Sequence, residues 1–105
     1  MEGHEGLDIL GESSFQNYYV QLQAHIERCS LLYMEFWLQL TEDNPNYQKL
    51  NDIGDKIINS MRHVEENKEQ CLKLNAQSVK VMRLYGKFIT EVMNDKQGGR
   101  HFLEK

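Results

Sequence analysis

Apolar residues recur along the first half of the chain at alternating steps of four and three. Phe15, Tyr19, Leu22, Ile26, Cys29, Tyr33, Phe36 and Leu40 form one such series. That spacing keeps every member on one side of an α-helix. A shorter series, Ala24, Leu31 and Leu38, repeats every seven residues beside it. A helix with two apolar stripes has to contact two partners rather than one. The pattern predicts a helix over 13–42 of roughly 45 Å, which is long for a small domain and suggests a hairpin of long helices. Ser13 and Gln16 have capping-box spacing and mark its expected start.

The next apolar series is Tyr47, Leu50, Ile53, Ile57, Met61, Val64 and then Cys71 or Leu72. Asn44 as N-cap and Pro45 as first helical residue suit a second helix over 45–73. Gly54 interrupts this face at a cost of about 1 kcal/mol against alanine, which points to a close approach of another helix. The run from Glu65 to Gln70 reads as a solvated face, with Glu65–Lys68 at helical neighbour spacing. Leu74-Asn75-Ala76-Gln77 breaks the pattern. Ser78 then caps a third helix over 78–94, whose expected buried face is Val79, Met82, Tyr85, Phe88 or Ile89, and Val92. Asn94-Asp95 closes it. A last segment, 96–105, holds Gly98-Gly99 and begins a new apolar face with Phe102 and Leu103. That unfinished face suggests a fragment, or an end that docks on a partner. Residues 1–12 are glycine-punctuated and acidic and read as a tail or linker. The fold expected from these patterns is all-α: a long antiparallel hairpin plus shorter helices.

Composition sharpens this reading. A chain of 105 residues is about one domain. The single proline favours helix throughout. The net charge of −4 hides an uneven distribution: residues 1–43 carry eight acids and one base, residues 75–105 three acids and six bases. The basic end has no Lys/Arg cluster and no base-stacking platform, which argues against nucleic acid as a partner. The split instead favours attraction between ends of the domain or between neighbouring modules. Two cysteines inside helical patterns are not a secreted disulfide framework and fit a reducing, intracellular compartment. The N-terminus lacks the look of a signal peptide, no stretch is apolar enough to span a bilayer, and Glu2 occupies the position a myristoyl anchor would need.

Candidate chemistry is thin. His25 and Cys29, one helical turn apart, with His63 and Cys71 on the next helix, lack the paired spacing of a zinc site and read as two buried cysteines and two partly exposed histidines. Glu35, Glu65 and Glu66 have no nucleophile or histidine patterned around them. Gly98-Gly99 lacks the rest of a phosphate loop. No catalytic residue, cofactor or metal is expected. The aromatic residues read as core, except that Tyr18 and Trp37 lie off the main stripe and are candidate interface residues, as are Phe102 and Leu103. Arg83, beside the buried face of the third helix, is either a binding residue or a partner for an acid across the hairpin.

The segment LNAQSVKVMRLYGKFITEVMND, followed by KQGGRHFLEK, resembles a tetratricopeptide or half-a-tetratricopeptide repeat unit. It more closely resembles the helical region of the tiny macrocyst protein B-like family. The matching positions are Leu74, Asn75, Ser78, Arg83, Tyr85, Phe88, Glu91, Val92, Asn94 and Asp95, with aromatic-rich Tyr33, Phe36, Trp37 and Leu40 upstream. The resemblance covers about residues 15–105. It implies a cytosolic, repeat-like scaffold that contacts neighbouring helical repeats or subunits. Its parent would be a protist membrane signalling protein with multi-pass and PAS segments elsewhere. It implies no enzyme activity. A small helical accessory subunit of a larger assembly is the alternative that the residues leave open.

Overall fold

The computed structural model describes residues 2–92, with side chains from residue 11 onward. It contains three helices: α1 (Glu2–Leu40), α2 (Tyr47–Leu74) and α3 (Val79–Glu91). The first two form a long antiparallel hairpin, and α3 packs across its open end. Among the described residues the architecture is all-α. The helix expected over 96–105, with Asn94, Asp95, Phe102 and Leu103, lies outside the described residues.

The first helix begins at Glu2, not at Ser13. Ser13 and Ser14 are exposed residues within it and terminate nothing. The capping-box spacing misleads here because a glycine-rich stretch without proline weakens a helix but does not break it. At its other end, Thr41 closes α1. The Thr41 hydroxyl donates to the Leu38 carbonyl at 2.8 Å, and its N–H is shared between the carbonyls of Trp37 and Leu38.

The cap of α2 is Asn46 rather than Asn44. Asn46 has an extended backbone, and its side-chain oxygen accepts from the Lys49 N–H at 3.1 Å. Pro45 therefore precedes the helix instead of opening it. The two asparagines flanking the proline are equally good caps. Beginning at Tyr47 turns Leu50, Ile53 and Ile57 onto α1 and leaves Tyr47 itself exposed.

The hairpin seam is built from Leu22, Cys29 and Leu32 on α1 against Ile53, Ile57, Val64 and Cys71 on α2. Burying each large aliphatic side chain contributes about 1.5–3 kcal/mol. Leu32 fits the same three-and-four spacing between Cys29 and Phe36 as Tyr33. Both lie at the seam, with Leu32 buried and Tyr33 half-buried. On α2 the buried series is Leu50, Ile53, Ile57, Ser60, Val64, Asn67 and Cys71. Its regular spacing passes through two polar residues, which an apolar count overlooks. Asn67 satisfies its amide by donating to the His63 carbonyl at 2.8 Å. The polar run 65–70 is thus not one solvated face. Nor does Gly54 mark a close approach: a Cβ there would meet nothing within 4 Å.

Ser78 caps α3, accepting from the Val81 N–H at 3.4 Å. Tyr85 and Phe88 are buried as expected, and Val81 joins them in place of Val79 and Met82. Val79 is exposed and Met82 half-buried.

Candidate protein-interaction surface

Of the repeat-like motif, Asn75 and Ser78 form the turn before α3, Tyr85 and Phe88 are buried, and Leu74, Arg83 and Glu91 are exposed. Leu74 is the exposed last residue of α2. Asn75 caps that helix, its N–H donating to the Cys71 carbonyl at 2.9 Å, while its side-chain oxygen accepts from the Gln77 N–H at 3.2 Å. Its carbonyl accepts from the N–H of Ser78. The turn between the helices is therefore saturated by its own short polar side chains. Phe88 and Tyr85 are buried with ring centroids 6.3 Å apart. Val92, half-buried, caps α3 through an N–H bond to Phe88. Arg83 is exposed.

A cluster that no motif announces clamps α3 to the hairpin. The Tyr85 hydroxyl donates to the Glu65 carboxylate. Lys68 lies 2.9 Å from the same carboxylate and places its ammonium 4.3 Å from the centre of the Tyr85 ring. On the other arm, the Lys80 ammonium sits 4.3 Å from the centre of the Tyr19 ring and 5.7 Å from that of Phe15. Cation–π contacts of this kind tie α3 to both α1 and α2. Only the Glu65–Lys68 spacing was visible in the sequence as a helical pair.

Of the residues weighed for chemistry, the fold brings His25 and His63 together. Their rings stack across the seam at 4.7 Å. Glu66 lies 3.7 Å from His63, and Tyr18, half-buried, lines the same shallow cleft. Burial lowers the His25 pKa first, helped by the charges of His63 and Arg28 and opposed by Glu66. Stacked imidazoles do not aim their lone pairs at a common point. Among the described residues no three His, Cys, Asp or Glu side chains come together as a metal set. Cys29 and Cys71 are buried free thiols, and burial pushes the Cys29 pKa up to about 11. A protonated thiol in apolar surroundings is a poor nucleophile.

Among the described residues, several exposed large apolar side chains lie on α1. At ~100° per residue, Leu31 stands ~180° around the helix from Leu22, away from the seam. Val20, Leu31, Met34 and Leu38 follow one another along that outer side, each about 60% exposed. Ala24, also exposed, completes the stripe. Trp37 is 61% exposed, with its ring edge-on to Phe36 at 6.2 Å. The sequence expectation of a second apolar stripe on the first helix therefore corresponds to an uncovered surface among the described residues.

A hairpin with a third helix docked on its end, and an apolar outer face left open, is the geometry of one unit in a helical repeat. The family described as "TmcB, TPR repeats" matches residues 2–105. The chain belongs to this tetratricopeptide-repeat family. It is 28% identical over 98 residues to tiny macrocysts protein B of Dictyostelium discoideum and 26% identical over 98 residues to tiny macrocysts protein C of the same organism. In each case the match covers 93% of this chain and 7% of the relative. The chain thus spans a small part of the length of these proteins. No solved structure matches it. Among the described residues, no helix is long and apolar enough to cross a membrane.

Proposed function

We propose that the chain is a non-catalytic helical scaffold that binds other helices through the outer face of α1. The observation that carries this reading is the stripe Val20, Ala24, Leu31, Met34 and Leu38. It spans five turns, is apolar but for Glu27, and is turned away from the hairpin's own core. An exposed apolar stripe of this kind marks an interaction site. The motif residues from Leu74 to Val92 act in support, fixing α3 so that the hairpin keeps one shape. A place on the cytosolic side of a longer, membrane-associated signalling protein belongs to the same proposal. The free thiols of Cys29 and Cys71 support it, because they suit a reducing compartment.

The test replaces Leu31 and Leu38 together by Asp. Both are exposed, so the thermal midpoint should hardly change. Sedimentation velocity would then follow mixtures of the chain with the segments adjoining the matched region in tiny macrocysts protein B. The parent chain should associate and the double variant should not. Equal association of both would remove the outer face from the reading.

A further inference from the structure

The outer stripe of α1 has a heptad arrangement. Ala24, Leu31 and Leu38 repeat at sevens, and Val20 and Met34 stand at intervening positions, with the charged Glu27 interrupting the seam between Ala24 and Leu31. Arg28 and Glu35 flank this seam on one side, seven residues and so ~two helical turns apart. Both are exposed. The arrangement is self-complementary. When two such helices pack antiparallel about a two-fold axis, like flanks face each other, so one charge on a flank meets its opposite on the second helix. With the axis near Leu31 and Leu32, Arg28 of one copy faces Glu35 of the other, twice. Leu31 of each copy meets Met34 of the other.

Beside the stripe lies a groove of about 440 Å³ whose lining includes Ala24, Arg28, Leu31 and Glu35. Lys56 of α2 forms its far wall. A groove between the stripe and the next helix is where a side chain from a facing helix inserts in knobs-into-holes packing. Neither α3 nor the aromatic residues it contacts, Phe15 and Tyr19, stands on this side of α1.

We propose that this face binds a second copy of the same chain, α1 against α1 in antiparallel order, with two reciprocal Arg28–Glu35 pairs setting the register. The proposal rests on the reading of the outer face as an interaction surface. It goes further in naming the occupant.

The experiment is sedimentation equilibrium of the 105-residue chain over a wide concentration range. Three variants accompany it: Arg28→Glu, Glu35→Arg, and the two combined. Circular dichroism checks that each is folded. The parent chain should be a dimer in reversible exchange with monomer. Each single reversal places like charges opposite each other and should weaken dimerisation by roughly tenfold or more. The combined exchange should restore it, because the reciprocal pairs reform with their signs exchanged. Arg28 and Glu35 are too far apart along one helix to pair with each other, so restoration would not come from within a single copy. A dimer indifferent to both reversals overturns the proposed register. A chain that stays monomeric but still binds the adjoining segments of tiny macrocysts protein B through Leu31 and Leu38 overturns the second copy as occupant and keeps the interaction reading. A monomer that binds neither overturns both.

Discussion

Tyr85 shows how much of the tertiary fold can depend on one side chain. It is 6% exposed, its ring packs with Phe88 and under the Lys68 ammonium, and its hydroxyl donates to Glu65. Tyr85→Ala removes all three contacts and opens a cavity, so the expected cost is ~3 kcal/mol or more. Tyr85→Phe keeps the packing and loses the donor, at about 1 kcal/mol. Urea denaturation of the two variants checks both values. Equal midpoints for the two would mean that the hydroxyl, not the ring, holds α3. Cys29 makes a different residue-scale prediction. Fully buried and with its pKa raised to about 11, it should resist alkylation in the native chain at mildly basic pH. It should react at the rate of an ordinary thiol once denaturant is added. Fast native labelling, read by mass spectrometry, would place Cys29 at the surface. Neither property is written in residue type alone. A cysteine in a helical stripe could equally face solvent, and Tyr85 gains its carboxylate partner only when two helices meet.

At the scale of elements, α1 and α2 differ in how plainly they announce themselves. The main stripe of α1 was legible because its apolar residues are large and regularly spaced. Only its last member, Leu40, is substantially exposed, at the end of the helix. On α2 the expected Leu50, Ile53, Ile57, Val64 and Cys71 are buried, but the seam also passes through Ser60 and Asn67, so counting apolar residues selects Met61 in place of Ser60 and passes over Asn67. Helix boundaries were less legible for a related reason. Capping chemistry identifies good candidates, but Ser13, Asn44 and Asn46 are all good candidates, and tertiary packing chooses among them. The stacking of His25 on His63, from opposite arms, was not legible for the same reason, although both residues were weighed as candidates. It gives the hairpin a pH dependence whose sign follows from His25. Its pKa in the folded chain is lowered from 6.5, by burial first and then by His63 and Arg28. The folded chain therefore takes up this proton less readily than the unfolded chain does. Well above pH 6.5 His25 is neutral in both states and has no effect. As pH falls below 6.5 the unfolded state protonates first and stability declines, and the loss is complete below the lowered folded value. Urea midpoints measured from about pH 7.5 to about pH 5 should show this decline. His25→Gln should flatten it, and Glu66→Gln, by removing the one opposing charge, should steepen it. An identical slope in His25→Gln would assign the dependence to other groups.

At the scale of the whole molecule, the described residues form a long hairpin with a short third helix on its end, and the two parts have different claims to stability. The seam of α1 and α2 runs most of the length of a body measuring 66 × 26 × 13 Å. By contrast α3 has 13 residues, about the length at which an isolated helix is marginal in water. Its order is borrowed from Val81, Tyr85 and Phe88 in the core, from the cap of Ser78, and from Lys80 and the Glu65–Lys68–Tyr85 cluster at its edges. Such an element opens at lower free energy than the core it leans on. Native-state hydrogen exchange in rising urea should therefore show α3 amides exchanging before those around Cys29 and Val64. Tyr85→Ala should widen the gap by loosening α3 while leaving the middle of the seam protected. If α3 and the seam instead exchanged at one common free energy in both proteins, the chain would be a single cooperative unit.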